Sequence, residues 1–481
     1  MAGSRRSSSR KRRHTQHGEI VSLVLDCASV VGFVLLAILF GGANAGGFAG
    51  TATVQLVAAI VIAAAIFRFD PRGLVPAERS LWLLAAALLV LMLVQLIPLP
   101  PGLWSALPGR ARTVETLTAL GITPLPWMPL SLAPDQTFRS VLAMLPPIAA
   151  LVLVVRASRT ASQAGLWALF AVAAVSVLIG LAQLSGGVDS PFYFYAITNR
   201  GSAVGFFSNA NHFSTLMLIV LPLAAGVAAR ARSRGENKNL VTVTWICAAG
   251  VTFLALLGLL IGGSLAGLLL APPAMFAAFL IFRASLSRRA RLWLIIGLLL
   301  VVAAAIAVVV FSPAVTDLGA SNFGGAGMSR KYLWGVAGEA TRSSFPFGSG
   351  FGTLEEVFRQ YENPATVGPI YANHAHSDLI ELVLEGGVAS ALLLLLFLGW
   401  VARRTWVLWT AEREARDPVA RGAAVSVILV LLHSLVDYPL RTAAVAVPFA
   451  FCCALMARPP RAVAEAQAEA AKAPTARHLA A

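Results

Sequence analysis

A chain of 481 residues that is 58% hydrophobic and only 12% charged, with a mean hydropathy of +0.78, is too apolar for a soluble globular protein. A net charge of +15 would suit a nucleic-acid binder, but the arginines are spread over alternate loops rather than one surface, which excludes that class. The four cysteines, Cys27, Cys247, Cys452 and Cys453, fall inside apolar runs without the spacing of a metal or disulfide framework, and read as packing residues.

The chain opens on an Arg- and Ser-rich segment, residues 1–19, which reads as a disordered basic cytoplasmic tail. Apolar runs able to cross a bilayer as helices follow, and about twelve are predicted. They lie at roughly 20–41, 51–67, 80–98, 140–155, 164–184, 213–229, 242–261, 265–282, 292–311, 385–402, 420–437 and 442–457. The fold class is therefore an all-α polytopic membrane protein with a transmembrane domain over residues 20–457, followed by an Ala- and Glu-rich cytoplasmic tail, 458–481. Threaded in order, the helices put "RRSSSRKRRH", Arg68, Arg72, Arg79, Arg156, Arg159, "ARARSRGENK", "RASLSRRARL", Arg403, Arg404, Arg413 and Arg416 on one side. Positive charge marks that side as the cytoplasm, so both termini are expected there. The external side receives three loops, 99–139, 185–212 and 312–384, the last and largest lying before the tenth helix.

Those external segments hold the residues suited to chemistry. In "NRGSAVGFFSNANHFST", residues 199–215, Arg200 is an isolated cation on the side where arginine is uncommon. Gripping an anion and bracing against headgroups are the two readings. The largest loop carries Arg330, Lys331 and Arg342, followed by a Gly-rich turn from Gly348 to Gly352. Guanidinium forks suit phosphate oxygens and glycines let backbone amides approach, although the spacing is not that of a nucleotide loop.

The stretch "YANHAHSDLIELVLEGG", residues 371–387, places two histidines before an apolar helix. Asp378 and Glu381 form the aspartate variant of a capping box and set the helix start near Leu379. His376 then sits just outside a helix N-terminus, where the dipole disfavours imidazolium and leaves the ring able to accept a proton. That is the requirement for a general base, and a histidine bracing its loop is the alternative. His374, His376 and Asp378 would share a face if extended, yet no further Cys/His cluster completes a metal site, so neither metal nor cofactor is expected. Finally, in "HSLVDYPLR", residues 433–441, His433, Asp437 and Arg441 follow at i, i+4 and i+8 unless Pro439 breaks the helix. Function and an ion pair that fixes helix packing are equally open there.

Taken in this order, Arg200 with "GFFSNANHFST", Arg330 with "YLWGVAGEA", "PFGSGFGT", "HAHSDLIELVLEGG" and "HSLVDYPLR" resemble the O-antigen ligase and polymerase family over about residues 180–445. The resemblance implies transfer of a glycan from an undecaprenyl diphosphate carrier to an acceptor hydroxyl on lipid A core, a glycan or a protein. It implies a metal-independent glycosyltransferase in the bacterial inner membrane, among membrane lipids, with its active site facing the periplasm; a single base with no enzyme nucleophile further predicts an inverting transfer. His376 would be catalytic, and Arg200, Arg330, Asn211, His433, Asp437 and Arg441 would bind substrate. Two positions depart from the pattern: Leu265 follows Ser264 where members commonly carry a Ser-Arg pair, and Ser390 stands where the histidine motif often ends in glycine. An O-antigen or exopolysaccharide polymerase using the same donor is the alternative, and a polysaccharide or lipid transporter is the alternative outside enzymes.

Overall fold

A computed structural model describes residues 2–44, 47–66, 75–233, 237–283, 287–311, 329–367, 372–412 and 415–459. The elements in order are α1 (Ala2–Phe40), α2 (Phe48–Ile66), α3 (Pro76–Val94), β1 (Pro98–Leu99), α4 (Pro101–Trp104), α5 (Ala111–Ala119), β2 (Met128–Pro129), α6 (Pro134–Ala143), α7 (Leu145–Arg156), α8 (Arg159–Ser185), α9 (Ala210–Ser233), α10 (Lys238–Gly262), α11 (Leu265–Phe282) and α12 (Arg288–Phe311). Then come α13 (Arg330–Ser344), α14 (Leu354–Tyr361), α15 (Asp378–Thr410), α16 (Pro418–His433) and α17 (Ala443–Ala457). The two strands pair antiparallel in a two-residue ribbon that closes the 99–139 loop. The basic stretch up to residue 19 is part of α1, whereas residues 460–481 of the expected C-terminal tail and 312–328 of the large loop lie outside the described residues.

Among the described residues nine helices are long and apolar enough to cross a membrane, and the expected run 292–311 lies in a further helix, α12, of 24 residues. Two of the expected runs form shorter apolar helices: α16 has 16 residues and α17 has 15. The first stops at His433 rather than near 437, because the chain turns there into a buried polar cluster. The fourth expected run is broken between α6 and α7, where prolines occupy the first turn of the second piece.

Helix α9 is the centre of the bundle. It is almost wholly buried, packed by α10, α11 and α16, while α1 lies on α8 and α17 on α7 and α16. At one end Asp417 caps α16 and pairs with Arg159 and Arg230. Arg458 donates to the carbonyls of Val154 and Ala157, and Arg404 to that of Met456. Among the described residues, Arg159, Arg230, Arg404 and Arg458 thus gather at the end of the bundle where α16 begins, opposite the end that carries His433.

Helix α15 starts at Asp378, within a residue of the expected start, and bends at Gly387, whose φ of 59° and ψ of −147° are open to glycine alone. The bend frees carbonyls, and the Gly-rich turn satisfies them: the amides of Ser349 and Gly350 donate to Leu384 and Glu385, and Val388 donates to Pro346. Gln95 bridges both sides, donating to the Glu385 carbonyl and accepting from the Phe351 amide. Ser390, one of the departures from the family pattern, donates to the Gly387 carbonyl at 2.9 Å. On both sides of the bend α15 and α16 part along an apolar groove of about 490 Å³ that runs from Leu379 and Leu435 to Trp406 and Trp409.

Candidate active site

The segment before α15 is tied down on three sides. The indole of Trp334 on α13 donates to the Ala375 carbonyl at 2.9 Å, and the Ala375 amide donates to Glu381 Oε1 at 2.7 Å. The Asp378 amide donates to the carbonyls of both Ser434 and Asp437, at 3.1 Å each. Between these anchors His376 adopts a φ of 51°, the left-handed region that a residue with a Cβ seldom enters. This turn aims the imidazole at Asp437, with Nδ1 3.2 Å from Oδ1.

Asp437 is fully buried in the turn after α16. Burial pushes its carboxyl up, but the hydrogen bond from His376 and the nearby imidazoles of His212, His433 and His376 outweigh burial and bring it down to about 2. It is a carboxylate at any working pH. A carboxylate on Nδ1 selects the tautomer whose Nε2 carries the lone pair. The His376 side chain is 31% exposed against 1% for Asp437, so the open edge of the pair belongs to the imidazole.

Tyr438 stands among three imidazoles. His374 stacks on it at 3.9 Å, and His376 and His212 meet it edge-on at 5.0 and 5.1 Å. Its hydroxyl accepts from Asn44 Nδ2 at 3.1 Å, and burial together with the Asp437 charge pushes the phenol up, so it stays protonated. His374 turns away from His376 to Glu381 Oε2, 2.9 Å off. The two histidines serve different carboxylates, and among the described residues no group of three or more His, Cys, Asp and Glu could hold a metal ion.

Several expected placements change. The capping residue of α15 is Ser377, whose hydroxyl accepts from the Ile380 amide, because Asp378 is drawn to Ser434 and the Leu440 amide. Arg441 does not continue a helical stripe: it follows Pro439 in a 3-10 turn and reaches Glu385 at 3.0 Å, Glu381 at 3.3 Å and Asp378 at 3.6 Å. Burial would push its guanidinium down, but those carboxylates hold it well above the usual range. The Gly-rich turn uses its Ser349, Gly350 and Phe351 amides on α15 and Gln95, not on an anion.

Of the residues singled out in the sequence, His376, Asp437 and His433 come together. Arg330, at the first position of α13, is near enough for its charge to act on His433. The contacts of Arg200 stay in its own loop, a hydrogen bond to the Val188 carbonyl at 2.8 Å and a cation–π contact with Tyr193. Asn211 engages the loop through its backbone amide, and its neighbour His212 is the residue whose ring approaches Asp437. The sequence patterns did not single out His212, Tyr438 or Glu385, and gave Glu381 only a capping role. A histidine in the first turn of an apolar helix, and acids at 378, 381 and 385 along one face of another, were the available signals.

Residues 250–395, which include Arg330 and His376, match the family model described as O-antigen ligase. The match supports the O-antigen ligase family. An O-antigen ligase segment implies a glycosyltransferase-like enzyme that handles glycans at a membrane, consistent with the nine apolar helices. It ends before α16, so Asp437, His433 and Arg441 reach the site from outside the matched O-antigen ligase segment. No curated protein matches the chain.

Proposed function

We propose that this protein moves a glycan from undecaprenyl diphosphate to an acceptor hydroxyl on the periplasmic face of the bacterial inner membrane, with His376 as general base. The observation that carries the reading is the His376–Asp437 pair: a half-open imidazole, itself within the segment matching the O-antigen ligase model, held at 3.2 Å by a buried carboxylate from outside that segment. The orientation rests on the arginine-rich end of the bundle being cytoplasmic, which also puts both termini there.

In this mechanism Nδ1–H of His376 donates to Asp437, and Nε2 takes the proton of the acceptor hydroxyl. The alkoxide-like oxygen forms its bond to the anomeric carbon as the bond from that carbon to the diphosphate breaks. A well-placed base accelerates such a step by about 10² to 10⁴-fold. The departing diphosphate gains negative charge, which Arg330 at the start of α13 would offset; Arg200 would grip the donor on exchanging its contacts with Val188 and Tyr193 for the diphosphate. One base and no enzyme nucleophile means direct displacement, hence inversion at the anomeric carbon; a product that kept the donor configuration would overturn this step. Arg441 takes a bracing role, since its charge is already matched by acids on α15.

A polymerase would use the same donor and base with a second carrier-linked glycan as acceptor. The test is the surface-glycan profile of a strain carrying His376→Ala. Lipid A core left free while carrier-linked polymer accumulates supports a ligase, and single repeat units support a polymerase. An unchanged profile overturns the proposal.

A further inference from the structure

Behind the His376–Asp437 pair lies a buried group of polar atoms without a hydrogen-bond partner among the described residues: both ring nitrogens of His212, Nε2 of His433, Oδ2 of Asp437 and Oδ1 of Asn44. Buried polar atoms are rarely left so, and a cluster of them calls for an explanation. Thr215 fixes one tautomer. Its hydroxyl proton goes to the Asn211 carbonyl at 2.9 Å, so toward His433 Nδ1, also 2.9 Å away, the hydroxyl oxygen accepts. His433 is thus protonated on Nδ1, and its Nε2 presents a lone pair. Asp437 Oδ2 and Asn44 Oδ1 are acceptors as well. Only His212 is left to supply a proton to this group, and its Nε2 stands 3.6 Å from Asp437 Oδ2.

A phenylalanine at this position would keep the edge-on contact with Tyr438 and bury no nitrogen. The imidazole therefore owes its place to the Asp437 side. We propose that His212 is a positioning residue for the transfer reaction: its Nε2–H closes on Oδ2 of Asp437 and so leaves Oδ1 fixed beneath His376. The inference rests on the reading of His376 as base. A carboxylate held by one oxygen rotates about its Cβ–Cγ bond and carries the imidazole with it, whereas a donor on the second oxygen removes that freedom. The contact must shorten by about half an ångström to reach an ordinary N–H···O length. Catalytic hydrogen bonds commonly tighten in this way when substrate binds.

The test uses the full-length protein in lipid nanodiscs, with an undecaprenyl-diphosphate-linked glycan as donor and a hydroxyl-bearing glycan acceptor. His212→Phe is expected to lower kcat about tenfold, the value of one charge-assisted hydrogen bond, with donor KM within about twofold. His212→Gln, which restores an N–H donor, is expected to recover most of the loss. Because His212 acts through Asp437, His212→Phe added to Asp437→Asn should cost nothing further. Wild-type kcat in His212→Phe, no recovery in His212→Gln, or fully additive losses in the double variant would each overturn the inference. His376→Ala run alongside separates the two levels: transfer that survives it refutes the base itself, while a dead His376→Ala beside a fully active His212→Phe refutes only the positioning role.

Discussion

Replacing Asp437 by asparagine tests the pair at the centre of the site. The carboxyl lies at about 2 rather than 3.8 although burial opposes ionisation. The surrounding imidazoles therefore favour its charge by about 2 kcal/mol net, at about 1.4 kcal/mol per pH unit. Removing the charge weakens the charge-assisted hydrogen bond that holds Nδ1 of His376, worth about 2 kcal/mol, so kcat is expected to fall about thirtyfold. The asparagine amide adds a second effect. If its NH₂ donates to Nδ1, the ring switches tautomer, Nε2 becomes a donor, and the loss rises further. The assay is single-turnover transfer from a lipid-diphosphate-linked glycan at saturating donor. A kcat within threefold of wild type, or a loss confined to donor KM, would refute the role of Asp437 as the partner of a base.

Gly387→Ala should lower stability by at least about 3 kcal/mol, from backbone strain and from the three amide bonds that close the bend. Gly399→Ala, on the same helix with open space at its Cβ, should leave the thermal midpoint unchanged or raise it; equal midpoints for the two would refute the account of the bend. Arg441→Met leaves Asp378, Glu381 and Glu385 without their cation and should destabilise the fold by about 3–5 kcal/mol. Adding Glu385→Gln should return part of that, as read from midpoints in detergent. Because the Asp437 carboxyl is depressed, its contribution of about 2 kcal/mol is complete above about pH 4 and lost as pH falls toward 2. The midpoint of the wild type should drop across that window more steeply than that of Asp437→Asn.

The membrane helices were legible because a run of apolar side chains states its own environment, and so was the histidine before α15. Side-chain direction was harder. His433, Asp437 and Arg441 read as one stripe only while the helix continues. Once α16 stops at His433, Asp437 swings under His376 and Arg441 goes to the acids of α15. Ser377 takes the cap because Asp378 has partners on the 434–440 turn, which no local pattern reveals. That His212 brings its ring toward Asp437 was hidden for the same reason: which of two adjacent polar residues faces inward is set by helix phase against α16, not by residue type.

The two bonds from the Asp378 amide to the carbonyls of Ser434 and Asp437 make a clasp of main chain between α15 and α16. Below the clasp the same two helices stand apart along the groove. At the far end of the groove Arg421 on α16 donates to the carbonyls of Leu408 and Trp409 on α15. The two helices are therefore fastened at both ends, and the gap between them is spanned by two fixed points rather than left to the apolar side chains that line it.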